Sequence, residues 1–164
     1  MKIYTDASTR SNLSGLAFIV TDAKNKVQCR RASVVEEKDN NTAELRAICY
    51  ALAYTKSVEE PVVLMTDSTY AIQAIRGGYH RPNEEKLINY IHAHMKNRKC
   101  NIFWVKGHNK DGTVLSYFNK EADKLAKHVR KEYEYSAAKQ KKIDKQKRLE
   151  AALVSKKGKN RWGP

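Results

Sequence analysis

Residues 2–5 alternate along the chain, with Ile3 and Thr5 on one side, which predicts a strand. Ser11-Asn12 is turn material. Leu16-Ala17-Phe18-Ile19-Val20 is a short continuous apolar run and predicts a buried strand. Asp22 to Lys26 predicts a turn, and Val27 to Val35 a third strand. Three strands joined by short turns predict an antiparallel meander. The period then changes. Leu45, Ile48, Cys49 and Leu52 recur at i, i+3, i+4 and i+7, the spacing of an amphipathic helix, with Thr42 as its N-cap or first-turn residue. After Pro61, Val62 to Met65 predicts a buried strand. Ser68 to Ile75 predicts a short helix stopped by Gly77-Gly78. Pro82 and Asn83 open a further helix with an apolar stripe of Leu87, Ile88, Ile91 and Met95. Ile102 to Val105 predicts a fifth strand, with Trp104 in the core. Gly107 to Ser116 predicts a polar loop, and a last helix begins near Phe118. The order βββ-α-β-α-α-β-α predicts an α/β fold, a five-stranded mixed sheet flanked by helices.

Composition narrows this picture. The chain has 164 residues, enough for one domain and a tail. Its apolar runs, such as Leu16 to Val20, are far short of the ~20 residues that a membrane span needs. The first residues contain no apolar stretch of the kind a secretory signal carries. Cys29, Cys49 and Cys100 are odd in number and form no CxxC pair, which argues against a disulfide framework or zinc knuckle and for a reducing cytoplasm. Net charge is +14. Lys127 to Pro164 holds 13 Lys/Arg against 4 Asp/Glu, so +9 of the excess lies there. The expected organisation is a domain over 1–131 and a basic C-terminal tail over 132–164, helical or disordered. Such a tail points to a polyanionic partner, most often nucleic acid, against the plainer reading of a solubilising segment.

Four carboxylates stand apart from those in turns and on helix faces. Asp6 follows the first strand residues, and Asp67 ends an otherwise apolar strand. Glu44 lies in the first turn of the first helix, and Asp123 in the first turns of the last. Strand ends and helix starts can converge in one crevice. Several carboxylates there repel unless a divalent cation neutralises them, and oxygen-only ligands suit Mg²⁺ or Mn²⁺. Each alone has a plainer explanation: Asp67 as a helix N-cap, Glu44 as a complement to the helix dipole.

The blocks Tyr4-Thr5-Asp6-Ala7-Ser8, Asn40-Asn41-Thr42-Ala43-Glu44-Leu45, Thr66-Asp67-Ser68-Thr69-Tyr70, Trp104-Val105-Lys106-Gly107-His108 and Asn119-Lys120-Glu121-Ala122-Asp123 together resemble type 1 ribonuclease H, in the family's order. The resemblance implies an endonuclease that hydrolyses the RNA strand of RNA–DNA hybrids by a two-metal-ion mechanism, acting as a monomer. Asp6 would bridge two Mg²⁺ ions, Glu44 and Asp67 would hold one, and Asp123 the other, an arrangement that activates water and stabilises the leaving oxygen. His108 would assist proton handling or product release, a role that suits its ordinary pKa of about 6.5. Asn40 and Asn41 match asparagines that hydrogen-bond in the hybrid minor groove, where 2′-OH groups are read. Asn12 and Asn119 are further candidates for nucleic-acid contact.

Three departures from the family pattern stand out. Asp39 occupies a place where many members have a small hydroxyl residue near a DNA phosphate, and an acid there would repel it. Thr69 stands where some members have Gln. Gly77 to Asn83 is too short for the basic helical handle of larger bacterial members. Two other readings remain, a non-catalytic binding module on the same fold and a different nuclease. The Asp-x-Glu pair of proofreading exonucleases is absent from Asp6-Ala7-Ser8.

Overall fold

The computed structural model describes residues 1–107 and 112–159, with side chains described through residue 149. Its elements are β1 (Lys2–Arg10), β2 (Leu13–Thr21), β3 (Val27–Glu36), α1 (Asn40–Tyr54), β4 (Val62–Thr66), α2 (Thr69–Ile75), a 3-10 turn (Pro82–Glu84), α3 (Glu85–Lys96), β5 (Cys100–Trp104) and α4 (Val114–Lys159). They form one five-stranded sheet in the order β3-β2-β1-β4-β5. β1, β2 and β3 are antiparallel neighbours, whereas β4 runs parallel to β1 and β5 parallel to β4.

The central strand is buried on both faces, which is why its side chains split between two cores. Ile3 joins Phe18, Leu45, Ile48, Leu52, Leu64, Ile88 and Ile91 beneath α1, α2 and α3. Tyr4, one residue on, joins Ile19, Met65, Val105, Phe118 and Ala122 beneath α4. This is the two-residue period of a strand read twice. Tyr50 and Tyr54 pack against Phe18, with ring centroids 5.0 and 5.3 Å away, as their spacing on α1 suggests.

The element order follows the sequence pattern, with three differences. β1 continues through Asp6 to Arg10, because every residue from Lys2 to Arg10 pairs with β2. The last helix begins at Val114 rather than near Phe118: the Thr113 hydroxyl accepts the Ser116 N–H at 3.2 Å and so caps it. Trp104 is not a core residue. It lies on the edge strand, is 48% exposed, and its indole N–H donates to the Asp67 carbonyl at 3.0 Å.

Residues Met1–Arg130 form one compact unit and Lys131–Pro164 a second. Among the described residues of the second unit there is only helix, the continuation of α4 to Lys159, and its side chains through 149 are mostly exposed. Among the described residues, no helix is long and apolar enough to cross a membrane.

Gly15 on β2 decides how closely α4 approaches the sheet. A Cβ there would collide with the Ala126 carbonyl oxygen and crowd the Arg130 Cβ at 3.1 Å. Both opposing atoms belong to α4, which is held against the sheet on this same face by Phe118 and Ala122 packed on Tyr4, Ile19 and Met65. We expect Gly15→Ala to lower unfolding free energy by about 1–3 kcal/mol, an overpacking cost, in urea denaturation. An unchanged midpoint would show that α4 can retreat freely.

Candidate active site

Residues Lys2 to Tyr4 of β1 pair with Val63 to Met65 of β4, and the parallel pairing stops there. Asp6 and Asp67 follow these paired segments, at the carboxyl end of the parallel strands, where open α/β sheets present their crevices. Glu44 enters from α1. Each of the three carboxylates offers an oxygen, and these oxygens all lie within 4.8 Å of one another. Asp6 and Glu44 are each only 4% exposed.

Local chemistry leaves these groups free for a ligand. Glu44 does not serve the helix dipole. Its Oε1 accepts the Ala7 N–H from β1 at 3.3 Å, and its Oε2 is buried without a hydrogen-bond partner. Asp67 is not the N-cap of α2. Ser68 takes that place, accepting the Ala71 N–H at 3.1 Å. Asp67 is instead held from beside: Oδ2 accepts the Asn119 amide at 3.0 Å. Gly107 abuts the same carboxylate, and a Cβ there would collide with Oδ2 and lie 3.1 Å from Cγ. Asp123, on α4, stands outside the three-residue cluster and forms a 2.8 Å ion pair with Lys127. Its charge nevertheless acts on both Asp6 and Glu44.

Burial raises the Asp6 carboxyl to about 10, with further upward pressure from Glu44, Asp67 and Asp123. Burial also raises Glu44, to about 8, aided by Asp67. Among the described residues, no lysine or arginine forms an ion pair with Asp6, Glu44 or Asp67. A buried orphan oxygen, three converging carboxylates and no protein cation fit a hard divalent ion. The donor set is oxygen only, which excludes a thiolate or imidazole preference within this cluster.

The remaining expected residues fall in several places. Asn40 and Asn41 line a cavity of about 270 Å³ with Glu44, Asp67, Ser68, Thr69 and Tyr70. Asn12 is exposed at the β1–β2 turn and its carbonyl accepts the Glu37 N–H at 3.0 Å. Asn119 is 2% exposed; its amide N–H donates to Asp67, and its Oδ1 is buried without a hydrogen-bond partner. His108 lies outside the described residues. Asp39 proves to be the N-cap of α1, accepting the Thr42 N–H at 2.9 Å, and Thr42 lies in the first turn. Arg81 pairs with Asp39 at 2.6 Å and holds its carboxyl below the usual range, so this acid does not face the cavity as an isolated charge.

The RNase H family model matches residues 1–131. The chain belongs to the RNase H family. Among solved structures, LC11-RNase H1, isolated from compost by a metagenomic approach, is similar with a TM-score of 0.68 at 22% identity, covering 80% of this chain and 96% of that one. The same LC11-RNase H1 in complex with an RNA/DNA hybrid gives 0.59 at 22% identity, covering 76% and 97%. The N-terminal RNase H domain of rv2228c from Mycobacterium tuberculosis gives 0.61 at 21% identity, covering 78% and 96%. No curated protein matches the chain by sequence. Within this RNase H-family protein, pattern reading missed the supporting roles of Asn119 and Gly107. Both sit in quoted motifs, but nothing in a linear motif separates a residue that holds a carboxylate from one that faces solvent.

The raised carboxyls predict a pH dependence. An unfolded Asp or Glu releases its proton near pH 4, whereas Asp6 and Glu44 in the folded metal-free chain hold theirs to about 10 and 8. Between these limits the folded state binds more protons than the unfolded state, so their contribution to stability falls as pH rises. We expect Asp6→Asn to raise the Tm of the metal-free protein, more at pH 8 than at pH 6, in scanning calorimetry. Mg²⁺ should raise the wild-type Tm at pH 8 and raise that of Asp6→Asn much less. A wild-type protein indifferent to Mg²⁺ would contradict this electrostatic account.

Proposed function

We propose that this protein is a divalent-metal-dependent endonuclease that hydrolyses the RNA strand of RNA–DNA hybrids. The observation that carries the reading is the convergence of Asp6, Glu44 and Asp67 within 4.8 Å, with no protein cation paired to them among the described residues. The similarity to a ribonuclease H1 solved with an RNA/DNA hybrid supports the substrate class.

Asp6, Glu44 and Asp67 would hold one Mg²⁺ or Mn²⁺, and Asp6 with Asp123 a second. Two such ions, when bound, supply charge neutralisation at the phosphate and a water acidic enough to attack it near neutral pH. The chain's own groups do the placing. The Ala7 N–H fixes Glu44, and the Asn119 amide and the close backbone of Gly107 fix the rotamer of Asp67. Asn40 and Asn41 would hydrogen-bond the minor groove of a hybrid, a role supported by their position on the wall of the cavity beside Glu44. Asn12 joins them from its exposed turn. His108 handles a proton on the product side.

The basic C-terminal unit, 132–164, tracks the backbone of the hybrid and replaces the grip of an inserted basic handle. Its support is charge: Lys127 onward carries a net +9. It also has form, because α4 continues as helix to Lys159 and presents exposed lysines through 149. A non-catalytic binding module is disfavoured by the intact carboxylate set.

We expect cleavage of labelled RNA–DNA hybrid with Mg²⁺, and none of duplex DNA or duplex RNA. Asp6→Asn should lower cleavage by several orders of magnitude, as when one member of a catalytic unit is removed, while hybrid binding persists. Retention of more than about a tenth of wild-type activity would reject the assignment. For the tail, each phosphate contact contributes about −0.9 to the slope of log K against log salt. Deleting residues 132–164 should therefore raise KM, flatten that slope by several units and change kcat little. Equal slopes for the full and shortened chains would show that the tail does not touch the hybrid.

A further inference from the structure

Glu84 is a fully buried carboxylate outside the acidic cluster, 0% exposed, and no motif singled it out. It sits at the end of the 3-10 turn that precedes α3. Oε1 accepts the Thr42 hydroxyl at 2.6 Å, from the first turn of α1. Oε2 accepts the Arg81 backbone N–H at 2.9 Å and the Tyr70 hydroxyl from the first turn of α2. The Arg81 guanidinium lies 3.6 Å from Oε1, 2.6 Å from the Asp39 cap of α1, and 5.9 Å from the Tyr70 ring centroid. One side chain thus ties three separate segments, the starts of α1 and α2 and the turn before α3. Burial pushes the Glu84 carboxyl up, but the Thr42 and Tyr70 hydroxyls, the Arg81 N–H and its charge bring it below the ordinary value, so it remains ionised.

Two of these segments, the starts of α1 and α2, form the wall of the 270 Å³ cavity, and the turn before α3 buttresses them from behind through Glu84. Asn40 and Asn41 immediately precede Thr42, and Tyr70 lines the cavity itself with Thr69. The metal-facing groups are positioned by other means. Glu44 is anchored to β1 through Ala7 and by its fully buried neighbours Ala43 and Leu45. Asp67 is anchored by Asn119 on α4. The hub therefore bears on the nucleic-acid wall of the site and not on the carboxylate cluster.

We propose that Glu84 is a positioning residue for hybrid binding, holding Asn40, Asn41 and Tyr70 at a fixed spacing across the cavity through Thr42 and Arg81. This rests on the hybrid-nuclease reading and adds a residue to it. The buried carboxylate is the only group in the hub able to accept from all three segments at once. Loss of its charge leaves Arg81 N–H and the two hydroxyls competing for a single amide oxygen. The wall then samples several spacings, and binding weakens because the hybrid must select one.

The test compares wild type, Glu84→Gln, Tyr70→Phe and Arg81→Ala. Hybrid Kd is measured by fluorescence anisotropy in an Asp6→Asn background, so that binding is read without cleavage. KM, kcat and the half-saturating Mg²⁺ concentration are measured in otherwise wild-type chains, and Tm for all. Glu84→Gln should raise Kd and KM about tenfold or more, and Tyr70→Phe about threefold, in line with one lost hydrogen bond. Arg81→Ala should fall between them. kcat and the half-saturating Mg²⁺ concentration should stay within about twofold of wild type, because the carboxylate anchors are untouched. A lowered Tm with unchanged Kd and KM would overturn the proposal, leaving Glu84 a purely structural residue. So would a loss confined to kcat or Mg²⁺ affinity. If Glu84→Gln does not fold, unchanged Kd in both Tyr70→Phe and Arg81→Ala overturns it equally. A wild-type chain that fails to cleave hybrid rejects the nuclease reading instead, a separate result.

Discussion

The burial of carboxylates beside one another is the constraint on which this molecule is built. Asp6 and Glu44 are almost wholly out of water, with Asp67 beside them and Asp123 near enough to act on both. Such an arrangement opposes ionisation of the folded, metal-free chain, because burial disfavours each charge and the neighbouring carboxylates add to it. The rest of the domain is what makes it tolerable. A central strand buried on both faces, with a helical layer against each, supplies enough apolar burial to hold Asp6 in place. Individual donors then fix the oxygens: Ala7 for Glu44, Asn119 for Asp67.

The sheet topology explains why the cluster forms where it does. β1 pairs antiparallel with β2 along nine residues but parallel with β4 along only three. Beyond Tyr4 and Met65 the parallel pairing of the two strands ends. Asp6, still within β1, and Asp67, just past β4, follow that point. α1, packed on β1 and β2, supplies Glu44, while α4, which lies close against Gly15, supplies Asp123 and Asn119. Four elements distant in sequence thus contribute one residue or two each, and none could form the cluster alone.

Polar side chains around the cluster do comparable work at the rim. Ser68 caps α2, so Asp67 need not. Asp39 caps α1 and is neutralised by Arg81, so an acid near the expected nucleic-acid face is not left as a free negative charge. Trp104 gives up a place in the core to bond the Asp67 carbonyl from an edge strand. Each of these roles departs from the simplest reading of the residue, and each does so because a neighbour from another element satisfies the need that the simple reading assumed.

Hydrophobic periodicity was enough to read the order of all five strands and of the helices after them, because strand and helix periods are local properties of the chain. The five motifs were enough to single out Asp6, Glu44, Asp67 and Asp123 as candidates, since residue type and order survive without coordinates, and the structure brings the first three together. The start of α4 was misread by four residues, because the cap at Thr113 sits inside a glycine-containing loop that looks like any other. Burial and partnership were decided by tertiary structure alone. Asn119 could equally have faced solvent, and only its 3.0 Å contact with Asp67 shows otherwise. Glu84, in the run Pro82-Asn83-Glu84-Glu85-Lys86, reads as one more charge on a solvated helix start. Its donors Thr42, Tyr70 and Arg81 are up to 42 residues away, and hydrogen bonds across such separations leave no local period to detect.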